Sequence, residues 1–144
     1  MESVKYTQSV EETEQFAASL ASSLRPGDVI ALYGGLGMGK TAFVRGLAKG
    51  LHTTSEVSSP TFALVHEYEA DMPLYHFDMY RIHSMEDLYS TGFFDYLESG
   101  GVLVIEWSEN IDSFLPPYAR KIRMERGDAE NERRVCVQNA DTGN

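Results

Sequence analysis

The chain has 144 residues, a length that suits one compact domain, and a hydrophobic fraction of 42%, enough for an ordinary core. A formal net charge of −10 argues against a broad basic surface for nucleic-acid phosphates, although it leaves room for one local positive pocket. The single cysteine, Cys136, excludes an intramolecular disulfide and a cysteine-rich metal site, and no stretch approaches the ~20 apolar residues of a membrane span.

Met1–Val10 is polar and lacks the basic-then-apolar pattern of a signal peptide, so a reducing, cytoplasmic setting is expected. Ser9-Val-Glu-Glu12 has the form of a helix capping box. Behind it Phe16, Leu20 and Leu24 recur every four residues beside Ala17 and Ala21, which predicts one apolar helix face ending before Pro26-Gly27. Val29–Tyr33 reads as a short buried strand, Gly34–Gly39 as a glycine-rich turn, and Lys40–Leu51 as a helix with Phe43, Leu47 and Leu51 on one stripe. Phe62–Ala70 and Leu74–Asp78 read as strands joined by a turn at Asp71-Met-Pro73, too short for a helical crossover, so the pair should be antiparallel. Ser84–Tyr89 and Phe94–Leu97 read as short helical pieces. Val102–Ile105 is a continuous apolar run before Glu106, as in a central strand buried on both faces. Arg120–Arg126 and Arg133–Val137 predict a closing hairpin around Gly127–Glu132. Together these predict a single α/β domain over residues 1–138, with a mixed parallel and antiparallel central sheet flanked by helices, and a tail over 139–144 that frays.

Gly34-Gly-Leu-Gly-Met-Gly39-Lys40-Thr41 matches G-x-x-x-x-G-K-[ST], with a strand before it and a helix after it. Glycines let the backbone curl so that successive N–H groups face phosphate oxygens. The following helix adds unpaired N–H groups and a partial positive charge. The expected phosphate cradle is Gly35, Leu36, Gly37, Met38, Gly39, Lys40 and Thr41; Lys40 reaches the β- and γ-phosphates and the Thr41 hydroxyl reaches Mg²⁺. Such a loop needs an acid near the metal at the end of a neighbouring strand, and two are available, Asp78 and Glu106. Asp78 is expected on the Mg²⁺ side and Glu106 as the acid that positions or deprotonates water, with the reverse assignment open and Glu106 also within the candidate metal set. Thr61, in Ser58-Ser-Pro-Thr61-Phe62, is a second hydroxyl placed to respond to a γ-phosphate; the same residues also read as an ordinary Ser/Pro turn. Arg81 reads first as an ion-pair partner of Asp78 and otherwise as a nucleotide contact, His76 as a packed or partly exposed histidine, and Trp107 as either core or a wall of the site. No guanine-reading N-K-x-D segment and no arginine-rich kinase lid is found, which leaves adenine as the expected base.

Four ordered blocks, Gly34-Gly-Leu-Gly-Met-Gly-Lys-Thr-Ala-Phe-Val-Arg-Gly46, Val57-Ser-Ser-Pro-Thr-Phe62, Leu74-Tyr-His-Phe-Asp-Met-Tyr-Arg81 and Glu106-Trp107, resemble the motifs of the TsaE (YjeE) family over about Val4 to Val137. Met38 and Ala42 stand where that family commonly has Ala and Thr; neither side chain is needed to bind phosphate. The resemblance implies a P-loop NTPase fold with an unusually antiparallel part. It implies an ATPase that serves the formation of threonylcarbamoyladenosine in tRNA; separately, the absence of an obvious arginine finger in a nearby loop predicts weak hydrolysis by the chain alone. The resemblance also implies action on a complex of TsaD-type and TsaB-type proteins, with tRNA engaged only indirectly and no membrane involved. By matching position it implies Lys40 and Thr41 at phosphate and Mg²⁺, Thr61 as a switch-like residue, Asp78 on the Mg²⁺ side and Glu106 as a catalytic acid. Two other readings compete: a small P-loop kinase that transfers phosphate to a small-molecule acceptor, and a nucleotide-responsive binding module with negligible hydrolysis.

Overall fold

A computed structural model describes residues 2–35, 37–53, 57 and 65–139. Among these, seven strands form one sheet: β1 (Glu2–Thr7), β2 (Val29–Tyr33), β3 (Val65–Tyr68), β4 (Leu74–Asp78), β5 (Val102–Glu106), β6 (Arg120–Arg126) and β7 (Arg133–Gln138). The spatial order is β1-β7-β6-β2-β5-β4-β3. The inner pairs β6–β2, β2–β5 and β5–β4 are parallel, whereas β1–β7, β7–β6 and β4–β3 are antiparallel. The sheet is therefore mixed, as expected, with its parallel part at the centre.

Strand alternation explains why the centre is buried on both faces. In β5, Val102 and Val104 enter one core with Ile30 and Leu32, while Leu103 and Ile105 enter a second core on the opposite face with Phe77 and Phe93. The first core is covered by α1 (Val10–Ala21) and α2 (Lys40–Gly50), the second by α3 (Met85–Ser90), α4 (Phe93–Leu97) and a kinked 3₁₀ segment, Ser108–Phe114. β6 keeps only one buried face: Ile122 and Met124 point into the first core between the less buried Lys121, Arg123 and Glu125.

Most predicted elements lie where the pattern puts them. Helix α1 starts at its Ser9 cap, whose Oγ accepts from the Glu12 N–H at 3.1 Å. Glu12 reaches back to the N–H of Gln8 rather than to that of Ser9. The strand expected over Phe62–Ala70 is seen as Val65–Tyr68; residues 62–64 lie outside the described residues, as do 140–144 of the tail. Two elements were not foreseen. β1 is an edge strand with Val4 and Tyr6 largely exposed, so it carries no inside-outside alternation to read. The 3₁₀ segment begins after Trp107, which adopts a left-handed conformation (φ 59°) and turns the chain sharply at the end of β5.

Helices α1 and α2 cross at small residues. Ala17 and Ala21 of α1 are buried against Gly46 and Gly50 of α2, while the larger Phe16 and Leu20 are only partly buried. A Cβ at Gly46 would lie 2.2 Å from the Glu14 carbonyl oxygen, and one at Gly50 would lie 2.5 Å from Ala21 Cβ. Glu14 spans the same crossing by pairing with Arg45 (3.1 Å) and Lys49 (2.6 Å), and the Lys49 hydrogen bond holds its carboxyl below the usual range. The Gly46→Ala substitution is expected to cost about 1–3 kcal/mol, the usual penalty for overpacking. Urea unfolding followed by circular dichroism should show the midpoint drop; an unchanged midpoint would refute the close-crossing argument.

Candidate functional site

The loop after β2 turns into α2 through glycines in conformations that disfavour side chains. Gly37 (φ 76°) and Gly39 (φ 93°) are left-handed, and Gly39 caps α2 without a side-chain hydrogen bond. Gly34 has its own constraint: a Cβ there would lie 2.7 Å from the Met124 carbonyl oxygen on β6. The first turn of α2 consequently opens toward solvent with its N–H groups free of a side-chain cap, an arrangement that favours anions.

A cleft of 670 Å³ lies over this turn, lined by Gly37, Met38, Gly39, Lys40, Thr41, Ala42 and Arg45 from the loop and α2. Val10 of α1, Asp78, Tyr80, Glu106 and Trp107 complete the wall. The volume falls in the range of small-molecule sites, about 300–1,000 Å³. A second cleft of 330 Å³ shares Gly37–Gly39 and extends past Ser9, Thr13, Asn131 and Arg133. Arg133 leans on the loop by donating from Nη2 to the Gly37 carbonyl at 3.3 Å.

The sheet delivers the acids. Asp78 and Glu106 end adjacent parallel strands and are register partners, so both reach the same edge as the loop. Lys40 is 6% exposed. Its ammonium donates to the Gly34 carbonyl at 2.6 Å and sits 3.9 Å from the Trp107 ring centroid, a cation–π contact. Burial pulls the Lys40 pKa down, opposed by the charges of Glu109, Glu106 and Asp78. Asp78 Oδ1 accepts from the Tyr80 N–H at 2.9 Å. Burial, together with the neighbouring Glu106, pushes the Asp78 pKa above the usual carboxylate range, against the pull of the Tyr80 hydrogen bond.

Of the residues expected from sequence, the fold brings together Gly37, Met38, Gly39, Lys40, Thr41, Asp78 and Glu106 around one cleft. Gly35 is exposed and does not line it. Leu36 and Thr61 lie outside the described residues. Arg81 does not pair with Asp78: the aspartate turns back onto the backbone of Tyr80 instead, and Arg81 is exposed. Trp107 proves to be a wall of the site, packed against Tyr80 with ring centroids 4.9 Å apart and planes tilted by 55°. Two contacts escaped sequence reasoning. Glu109 Oε2 accepts from the Gly34 N–H at 3.0 Å, and His76, expected only to pack, is fully buried with Nε2 2.5 Å from Glu106 Oε2. No sequence signal marked the second, because His76 and Glu106 lie on strands 30 residues apart that meet only through the β4–β5 pairing.

Among the described residues no group of three or more His, Cys, Asp or Glu is arranged to hold a metal ion by itself. The donor chemistry nonetheless fits Mg²⁺, which usually binds through one or two carboxylates plus substrate phosphates and waters. Thr41 and the two acids offer hard oxygens to the same cleft. No helix among the described residues is long and apolar enough to cross a membrane.

The sequence model of one family, described as "Threonylcarbamoyl adenosine biosynthesis protein TsaE", matches residues 7–135. The chain is 39% identical over 131 residues to the tRNA threonylcarbamoyladenosine biosynthesis protein TsaE of Treponema pallidum, covering 91% of this chain and 96% of that protein. It is 43% identical over 125 residues to the protein of the same name from Bacillus subtilis, covering 85% of this chain and 77% of that one. The crystal structure of Bacillus subtilis YdiB superposes with a TM-score of 0.81 at 32% identity, over 98% of this chain and 87% of that chain. The fold is that of a P-loop NTPase with a mixed sheet.

The raised Asp78 pKa has a consequence for stability. A carboxyl that is harder to ionise in the folded state contributes fully below its unfolded pKa, about 3.9, and loses that contribution as pH rises through its raised folded value. Asp78→Asn keeps an Oδ1 to accept from Tyr80 and removes the charge. The nucleotide-free variant is therefore expected to melt higher than the parent near pH 7, with the difference narrowing as the pH falls toward about 4. Thermal scans across that range test it, and a lower melting temperature for the variant at neutral pH would count against the argument.

Proposed function

The chain belongs to the TsaE family of threonylcarbamoyladenosine biosynthesis proteins, and from that premise we propose that it is an ATP-binding and ATP-hydrolysing subunit needed for threonylcarbamoyladenosine formation in tRNA. One observation carries the reading. The glycine loop, the buried Lys40 and the N-terminus of α2 form one wall of the cleft, and Asp78 and Glu106 end neighbouring strands on the facing edge. A pocket with amide donors and a cation on one side and two carboxylates on the other is suited to a metal-bound triphosphate.

In this reading the backbone from Gly37 through Thr41 holds the phosphates and the Lys40 ammonium, swung from the Gly34 carbonyl, neutralises the transferring group. Thr41 and Asp78, with Glu106 beside them, hold Mg²⁺, which when bound spreads the charge on the phosphate oxygens. Glu106 orients the attacking water and accepts its proton, and Thr61 responds to the γ-phosphate. The acidic balance of the chain, −10 overall, suits a protein that serves a tRNA-modifying assembly without gripping tRNA directly. The assembly is one of TsaD-type and TsaB-type proteins in the cytoplasm, and nucleotide turnover resets it.

Hydrolysis by the isolated chain should be slow. Arg45 is the one arginine that lines the cleft among the described residues, and Glu14 already holds its guanidinium at 3.1 Å. The transition-state charge therefore lacks the arginine that many P-loop enzymes recruit from a partner. Adding TsaD- and TsaB-type proteins should accelerate phosphate release in the absence of any acceptor; turnover at tens per second without them would refute this.

Lys40→Ala is expected to weaken binding of an ATP analogue by about 1.5–3 kcal/mol, the worth of a charge-assisted hydrogen bond, or about 10- to 150-fold in Kd. Calorimetry with and without magnesium should show a larger loss for Thr41→Ala when the metal is present. Equal losses in the two conditions would remove Thr41 from the metal site.

A further inference from the structure

His76 lies in β4 two residues before Asp78, is 0% exposed, and does not line the cleft. Its ring makes two side-chain hydrogen bonds. Nε2 is 2.5 Å from Glu106 Oε2 on the adjacent strand, and Nδ1 is 3.2 Å from the hydroxyl of Tyr68 on the other side. That hydroxyl is in turn 3.2 Å from Nδ1 of His66. The three rings pack at centroid distances of 6.0, 6.0 and 6.4 Å, so the chain of contacts lies in a filled space rather than a loose one.

The donor count orders this chain. An ionised carboxylate only accepts, so the proton of a neutral His76 sits on Nε2 and is donated to Glu106. Nδ1 is then bare and accepts from the Tyr68 O–H. The Tyr68 oxygen accepts from the Nδ1–H of His66. These three bonds run in one direction and end on Glu106 Oε2. The other oxygen of that carboxylate, Oε1, carries no hydrogen bond among the described residues, and Glu106 lines the cleft.

We propose that His76 is a positioning residue for hydrolysis: it ties down one oxygen of Glu106 so that the other is presented to the cleft at a fixed orientation. The inference rests on the reading of Glu106 given above. A glutamate has three rotatable side-chain bonds, and a buried donor that fixes one end removes most of that freedom before substrate arrives. Because His76 acts from behind Glu106, its loss should reach the rate of hydrolysis and spare nucleotide affinity.

The test compares His76→Leu, His76→Gln, His76→Asn and Glu106→Ala in the full chain. The readouts are single-turnover hydrolysis of Mg·ATP with protein in excess, Kd for a non-hydrolysable ATP analogue, and the ¹⁵N resonances of the His76 ring in the nucleotide-free parent. His76→Leu should slow hydrolysis about 10–100-fold, the usual effect of removing an orienting partner, with analogue affinity unchanged. Gln can place an amide N–H near the position of Nε2, so His76→Gln should recover most of the rate; the shorter Asn should not. The ring resonances should show a protonated Nε2 and a bare Nδ1. A parental rate in His76→Leu, a parallel fall of rate and affinity, or a proton on Nδ1 alone would overturn the proposal. If His76→Leu does not fold, the Gln and Asn variants decide, and equal rates in those two overturn it. A fully active Glu106→Ala would remove both this inference and the role of Glu106. An inactive Glu106→Ala beside a fully active His76→Leu would remove the inference alone.

Discussion

The parallel pairing of β4 with β5 sets the geometry of the site. It runs in register from Leu74 opposite Val102 to Asp78 opposite Glu106, and it continues for one bond beyond, where the Met79 N–H donates to the Glu106 carbonyl at 3.0 Å. Because both strands end together, two carboxylates come to the sheet edge side by side, next to the loop that leaves β2. A slip of one residue in either strand would turn that strand's acid to the opposite face of the sheet, since successive side chains in a strand face opposite sides. Burial of Leu74, Tyr75 and Phe77 of β4 and of Val102–Ile105 of β5 in two separate cores keeps that register in place.

Such an edge is electrostatically uneasy without a ligand. Burial disfavours both Asp78 and Lys40 in their ionised forms, the neighbouring Glu106 adds to the effect on Asp78, and only part of this is offset by hydrogen bonds. The protein manages the imbalance with local contacts. Lys40 rests on the Gly34 carbonyl and the Trp107 ring, Asp78 on the Tyr80 amide, Glu106 on His76, and Glu109 on the Gly34 amide. Each contact occupies one hydrogen-bonding position of a side chain that has more than one. The site is thus held near a working geometry while capacity for a ligand is kept, which is how a stability cost becomes compatible with binding.

The α1–α2 crossing serves the same site from behind. Close approach at Gly46 and Gly50 seats α2 against α1, which fixes the direction in which the first turn of α2 points. It also brings Val10, at the start of α1, to the rim of the cleft. Helix α1 is thereby both core and a wall of the site.

Much of this was legible in the residues. The glycine loop, Lys40 and Thr41 announce themselves because phosphate binding needs a contiguous run of special backbone followed by a helix start, and contiguity survives in sequence. The strands Val29–Tyr33 and Val102–Glu106 are legible for a similar reason: burial on both faces demands unbroken apolar runs, and in the second the acid that ends the run stands out. β1 was not legible, because an edge strand with exposed Val4 and Tyr6 is held by ladder hydrogen bonds to β7 rather than by an apolar face. What only the tertiary structure decided is which side chains meet. That Trp107 lies under Lys40, that Asp78 turns to Tyr80 instead of Arg81, and that His76 reaches Glu106 all depend on strands and turns distant in the chain arriving at one edge. Local pattern fixes the period and the ends of each element; the partners of a buried polar group follow from register and packing, which no single segment contains.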